Sequence, residues 1–182
     1  MRKRLIFLAA LMMPAMCHAG KMVDFPRILP AETNILHFVG AGDLSRWLIR
    51  GCDIALYTPK GTPETDVLGD IPRCLEFYYY RTIKAEQFAT AAWDTLNKAF
   101  DKKVLDRNKA AIDKLHGIYK NVKKGDRYRL IYVPGKGTTL YLNGKALGTV
   151  EGSEFSKVYF SIWLGKKSLD EKLRARLLGK KR

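Results

Sequence analysis

GDRYRLIYVPGKGTTLYLNGKALGTVEGSEFSKVYFSIWLG, from Gly125 to Gly165, holds three strand signals followed by one helix signal. Tyr128 to Val133 alternates, Pro134 to Gly137 punctuates, and Thr139 to Leu142 alternates again. Asn143-Gly144 then supplies the two left-handed positions of a two-residue hairpin turn, and Lys145 to Val150 returns as a third strand. After Gly152 the period changes. Phe155, Val158, Tyr159, Ile162 and Trp163 fall at i, i+3, i+4, i+7 and i+8, one face of a helix, with Ser153 placed to cap its start and Gly165 its end. A meander handing directly to an amphipathic helix predicts a sheet with helices laid on one face.

Working outward, Lys84 to Phe100 carries Phe88, Ala92, Leu96 and Ala99 at helical spacing, and a second helix is expected from near Asp106 with Ile112, Leu115 and Tyr119 inward. Ser168 and Glu171 have the spacing of a capping box before a last helix whose buried stripe is Leu169, Leu173 and Leu177. Upstream, Lys21 to Pro30 reads as an extended entry segment, Ile35 to Val39 as a short strand, Trp47 to Tyr57 as a long one and Cys74 to Tyr80 as its return across the Thr58 to Asp70 loop. The order β-β-β-α-α-β-β-β-α-α is that of an α+β protein with an antiparallel sheet.

Residues 1–19 read as a secretory signal peptide: Arg2, Lys3 and Arg4 precede an apolar run, and Cys17-His18-Ala19 has small residues where a cut needs them. Cleavage after Ala19 leaves residues 20–182, of a size for one domain, in a periplasmic or secreted compartment. The formal net charge is +15, or +12 once the three cations of the leader are removed. Such a balance favours anionic surfaces, and export makes an envelope surface a more natural partner than nucleic acid. Cys52 and Cys74 remain in a disulfide-permissive compartment. A hairpin centred on residue 63 would set them opposite each other. Register is open at this stage, so either a Cys52–Cys74 disulfide or two buried thiols satisfies the sequence.

Catalytic motifs are sparse. Gly40-Ala41-Gly42 after a strand has two glycines of a dinucleotide fingerprint, but Ser45 stands where the third belongs, and a tight turn between strands is the ordinary reading. Gly135-Lys136-Gly137-Thr138 falls in a hairpin and lacks the spacing of a phosphate loop. His37 and His116 have no partner at a metal spacing, so no metal and no cofactor is expected. On the strand holding Tyr78-Tyr79-Tyr80, Tyr79 shares a face with Leu75 and Phe77, while Tyr78 and Tyr80 share the other with Glu76. One face is core and the other is free to line a cleft. The cationic stretches Lys102 to Lys109 and Lys172 to Arg182 read first as solvated helix faces.

Three stretches resemble the chalcone isomerase-like proteins, particularly their exported bacterial branch. They are Gly40-Ala41-Gly42 with the strand ending Ala55-Leu56-Tyr57; Tyr80-Arg81-Thr82-Ile83 leading into Phe88 and Trp93; and Lys124 to Tyr128 through Gly144, Gly148, Glu151-Gly152, Phe155 and Ile162 to Gly165. The resemblance implies an open-faced β-sandwich, an antiparallel sheet wrapped by helices, with a ligand cleft between them. In the plant isomerases that cleft uses an Arg, a Thr, a Tyr and an Asn to close a chalcone. The positions matching them here are Leu44, Cys52, Phe88 and Thr95, and all four depart. Leu44 and Phe88 can supply no cation or donor for a developing enolate. Arg46, two residues along on the same strand face as Leu44, is the candidate substitute, with Tyr78 and Tyr80 as further donors. The fatty-acid-binding relatives keep the Arg and Tyr to hold a carboxylate, so the headgroup clamp departs as well. The expectation is an exported, non-catalytic protein holding a small amphipathic or fatty-acyl ligand in a cleft drawn from Leu44, Arg46, Cys52, Tyr78, Tyr80, Phe88 and Thr95. Two alternatives stand beside it: an isomerase acting on a chalcone-like substrate with non-standard residues, and a basic envelope-interaction protein. The sequence is silent on oligomeric state.

Overall fold

A computed structural model describes residues 21–46 and 49–180. The signal-peptide expectation for residues 1–19 lies outside them. Seven strands form one sheet in chain order with every neighbouring pair antiparallel: β1 (Ile28–Ala31), β2 (Asn34–Arg46), β3 (Ile49–Thr58), β4 (Arg73–Tyr79), β5 (Arg127–Val133), β6 (Gly137–Leu142) and β7 (Lys145–Val150). Four helices complete the fold: α1 (Ala85–Ala99), α2 (Lys102–Ile118), α3 (Ser153–Leu164) and α4 (Glu171–Leu177). The α+β architecture, a curled antiparallel sheet carrying helices, agrees with the sequence reading. Among the described residues no helix is long and apolar enough to cross a membrane.

The central meander forms as its alternation dictates. Asn143 (φ 50°) and Gly144 (φ 82°) are both left-handed, the geometry that a two-residue hairpin needs to match strand twist. Asn143 also ties the turn to β5, accepting from the Arg127 amide at 2.8 Å and donating to Asp126 at 2.9 Å. From Gly152 the chain enters α3, which is buried nearly all round because α1, α2 and α4 pack against it while it lies over the sheet. Asp101 caps α2 through the Val104 amide at 2.9 Å, starting that helix earlier than Asp106.

Several expectations are corrected. Lys21 to Pro30 is not only an entry segment, since Ile28–Ala31 pairs with β2. Gly40-Ala41-Gly42 is not a turn; it lies inside the thirteen-residue strand β2. Its glycines serve a close approach, because a Cβ on Gly40 would stand 2.2 Å from the Arg176 carbonyl oxygen of α4. The last helix is capped by Asp170, which accepts from the Leu173 amide at 2.7 Å, and not by Ser168. Leu173 and Leu177 are buried as expected, whereas Leu169 stays exposed.

The sheet has a core on each side. The helix side gathers Ile54, Leu56, Leu75, Phe77, Leu130 and Leu140 with the apolar faces of the helices. The other side is smaller: Phe25, Leu29, Ala31 and Leu36, from the first strands and the segment before them, pack with Ala55, Tyr57, Cys74 and Ile131. Each side also buries charge. Arg73, wholly buried, donates to the Gly69 carbonyl at 2.6 Å and the Ser156 hydroxyl at 2.6 Å, pinning the β3–β4 loop to the start of α3. On the far side Asp53 accepts from Tyr80 and Arg50, and Glu76 from Tyr57, Arg127 and Arg129.

The cysteines fall in different cores. Register places Cys52 opposite Tyr79 and Cys74 opposite Tyr57, five positions apart along β3 and hence on opposite faces. Of the two alternatives the sequence leaves open, strand pairing rules out the Cys52–Cys74 disulfide, and both are free, buried thiols.

Candidate functional site

Alternation along β3 and β4 sends Cys52, Ile54, Phe77 and Tyr79 to the helix side, and the pairs Cys52↔Tyr79 and Ile54↔Phe77 make them one contiguous patch. Helix α1 crosses this patch with Gln87, Phe88, Ala91 and Ala92, and α3 reaches it with Ile162 and Trp163. Between them lies a chamber of about 190 Å³. Tyr119, leaving α2, and Ile83, at the entry to α1, close one side, held by the reciprocal backbone hydrogen bonds of Ile83 and Val122 at 3.0 Å. Leu44 and Leu169 form the rim. Beyond the rim the chamber widens to an open mouth of about 590 Å³ that adds Ser45, Gly51, Arg81, Thr82 and Asp170.

The chamber walls are aromatic. Phe77 meets Trp163 edge-on at 5.2 Å, Phe88 lies 5.7 Å from Tyr79 and 5.2 Å from Tyr119, and Tyr119 meets Tyr128 at 5.8 Å. Polar atoms are few. Tyr119 Oη shares a hydrogen bond with Tyr159 Oη at 2.9 Å, which meets His116 Nε2 at 3.1 Å. Tyr128 accepts from the Lys120 amide at 2.8 Å and donates to its carbonyl at 2.7 Å. The Tyr79 hydroxyl has no hydrogen-bond partner among the described residues, although Tyr79 is only 4% exposed. Burial raises the pKa of Tyr79, Tyr119 and Tyr159 well above the phenolic value, and lowers that of His116, so these groups are neutral near pH 7. Burial also pushes the Cys52 thiol up to about 12, with Asp53 and Asp43 adding to it, which leaves no thiolate for nucleophilic chemistry.

Of the residues singled out in the sequence, Leu44, Cys52 and Phe88 line the chamber. Thr95 does not; it is buried in α1 with its hydroxyl donating to the Ala91 carbonyl at 2.9 Å. Tyr78 and Tyr80 lie on the opposite face of the sheet, where Tyr80 donates to Asp53 at 2.7 Å and Arg127 stacks over Tyr78 at 5.0 Å. The alternation of β4 is legible in the sequence, but the helices cover its Phe77/Tyr79 face, so the cavity lies on the core side. This removes Tyr78 and Tyr80 from the donor set considered for an isomerase. Arg46 ends β2 and its side chain lies outside the described residues. Sequence reasoning missed Gln87 and, as a cleft residue, Tyr79; the pairing of Tyr79 with Leu75 and Phe77 on one face was the available signal. Among the described residues no group of three His, Cys, Asp or Glu could hold a metal ion.

The cations of the last helix are mostly engaged within the chain. Arg174 and Lys180 bind Glu64 at 3.0 and 2.8 Å, and Arg176 binds Asp43 at 3.0 Å. In α2, Lys102 pairs with Asp106, Lys109 with Asp113, and Arg107 with Glu154 of α3.

Among solved structures, the chain is similar to a fatty-acid binding protein of Arabidopsis thaliana, with a TM-score of 0.64 at 12% identity over 85% of this chain and 91% of that one. At that identity the likeness shows the shared fold. None of the curated proteins matches at the level of sequence. The family is shown by the sequence itself: residues 19–179 match the chalcone isomerase-like family, and the chain belongs to it.

Proposed function

We propose that this protein is a non-catalytic binder of a small amphipathic or fatty-acyl-type ligand, whose apolar end enters the chamber between the sheet and helices α1 and α3. The observation that carries the reading is the chamber lining: among its described residues none is charged, while aromatic and aliphatic side chains dominate. A methylene occupies about the 30 Å³ share of a water molecule, so the chamber takes about six, with the rest of a longer ligand in the mouth. At about 0.8 kcal/mol per buried methylene these supply about 5 kcal/mol before association costs are met. The fatty-acid binding protein of like fold supports this class of ligand, and the departures at Leu44, Cys52, Phe88 and Thr95 support the absence of ring-closing chemistry. The basic leader followed by an apolar run supports export with cleavage after Ala19, which intact mass and N-terminal sequencing of the secreted fraction would test.

The experiment is a titration of the protein with an environment-sensitive acyl fluorophore, followed by displacement with unlabelled acyl chains. Ala91 lines both chamber and mouth and is exposed, so Ala91→Trp plugs the entrance without disturbing the core. Saturable, displaceable binding to the wild type and loss of at least tenfold in Ala91→Trp is the expected result. Equal binding to both would place the fluorophore elsewhere and remove the reading.

A further inference from the structure

We propose that the chamber holds its ligand by an uncharged oxygen, with the hydroxyls of Tyr79 and Tyr119 as its polar pole, so that the preferred ligand is a neutral chain such as an alcohol or ketone and not an ionised carboxylate. This rests on the ligand-binding reading above.

The inference starts from an unmet hydrogen bond. Tyr79 is 96% removed from solvent, lines the chamber, and has an unpartnered hydroxyl among the described residues. That hydroxyl is not among the sealed unpartnered atoms of the described residues, so it is open to a partner from the chamber that Tyr79 lines, and a ligand oxygen supplies one. Cys52 pairs with Tyr79 across β3 and β4, and the Tyr128 ring lies 5.8 Å from the Tyr79 ring. Cys52 and Tyr119 line the same chamber as Tyr79.

Tyr119 brings a second feature. Its hydroxyl is bonded to Tyr159, which is bonded to His116, and this chain can run in either direction. If Nε2 of His116 carries the hydrogen, it donates to Tyr159, Tyr159 donates to Tyr119, and Tyr119 donates into the chamber. With the other tautomer the donors reverse and Tyr119 offers an acceptor. Tyr79 and Tyr119 together can therefore satisfy a hydroxyl, which both donates and accepts, or a carbonyl, which accepts two bonds.

An ionised carboxylate fares differently. No Lys, Arg or His is among the described residues that line the chamber, and a buried anion without a cation loses far more in desolvation than two neutral donors return. Arg81 lines only the outer mouth, is exposed, and has no ion-pair partner among the described residues. A carboxylate left there would be held only by a screened, solvated contact.

Calorimetric titration of the full chain at pH 8 with 1-octanol, octanoate and toluene tests this. Toluene reports the apolar chamber alone, and the wild type is compared with Tyr79→Phe and Tyr119→Phe. The expected result is octanol binding more than tenfold tighter than octanoate, a loss of about three- to tenfold for octanol in Tyr79→Phe, and toluene unchanged. Octanoate binding as tightly as octanol, and weakening on Arg81→Ala, would put the head at the mouth and overturn the proposal while leaving the ligand-binding reading intact. The proposal is equally overturned if neither phenylalanine variant changes octanol relative to toluene. Failure of all three compounds to bind would remove both.

Discussion

Helix α4 can dock on β2 only because residue 40 has no side chain. A Cβ built on Gly40 would lie 2.2 Å from the Arg176 carbonyl oxygen and 2.9 Å from both the Gly179 nitrogen and the Leu177 carbonyl oxygen, all backbone atoms that no rotamer can move. Ordinary contact begins near 3.4 Å, so in Gly40→Ala the helix end must retreat by about 1.2 Å. A retreat that merely strains the interface costs about 1–3 kcal/mol, the usual range for overpacking. If α4 lifts off, Leu173 and Leu177, now 1% and 0% exposed, return to water at about 1.5–3 kcal/mol each, and the Arg176–Asp43 contact is lost with them. The expected destabilisation is about 2–4 kcal/mol, read by urea unfolding with midpoint and slope fitted separately. Gly117 in α2 is the control: nothing lies within 4 Å of a Cβ there, and Gly117→Ala should gain about 0.5–1 kcal/mol from helix propensity alone. A Gly40→Ala protein within about 0.5 kcal/mol of wild type would refute the close-approach account of the Gly-x-Gly motif.

Arg73→Ala should cost about 3 kcal/mol or more in the same assay, because it leaves a cavity at a wholly buried position and strips the buried Ser156 hydroxyl of its partner. Alkylation under native conditions should label neither Cys52 nor Cys74, two thiols should react after unfolding, and melts with and without reductant should coincide. His116 has its pKa held below the ordinary 6.5 by burial, so beneath pH 6.5 the unfolded chain binds the proton more readily than the folded one. Stability should fall as pH drops through that window, and His116→Gln, measured from pH 7.5 to 5, should show a shallower fall.

Where the physics is local, the sequence is enough. The Asn143-Gly144 turn, the strands it joins and the switch to helical period after Gly152 are set by near neighbours, and the structure reproduces them. Where a residue answers to something distant, reading along the chain fails. Gly40 and Gly42 look like turn glycines until α4, more than 130 positions later, is laid against them, with Arg176 and Leu173 at the missing Cβ positions. Register between β3 and β4 depends on the whole loop from Thr58 to Asp70, including a 3-10 turn at Glu64–Asp66, so the expectation that Cys52 faces Cys74 misses by five residues. The tyrosine strand shows the same limit at the site. Alternation separates Tyr79 from Tyr78 and Tyr80, but only the position of the helices decides which set meets the chamber. Leu44, Cys52 and Phe88 are found through family resemblance, because their own types carry no site signal.

The central claim is that the chamber between sheet and helices is a ligand site. Native mass spectrometry of the protein, purified without detergent and then incubated with a mixture of medium-chain alcohols, ketones and acids, tests it most directly. One adduct of a chain-bearing compound per protein, lost in Ala91→Trp, is the predicted result. A protein that stays free of every compound offered, or an adduct that persists unchanged in Ala91→Trp, would contradict it.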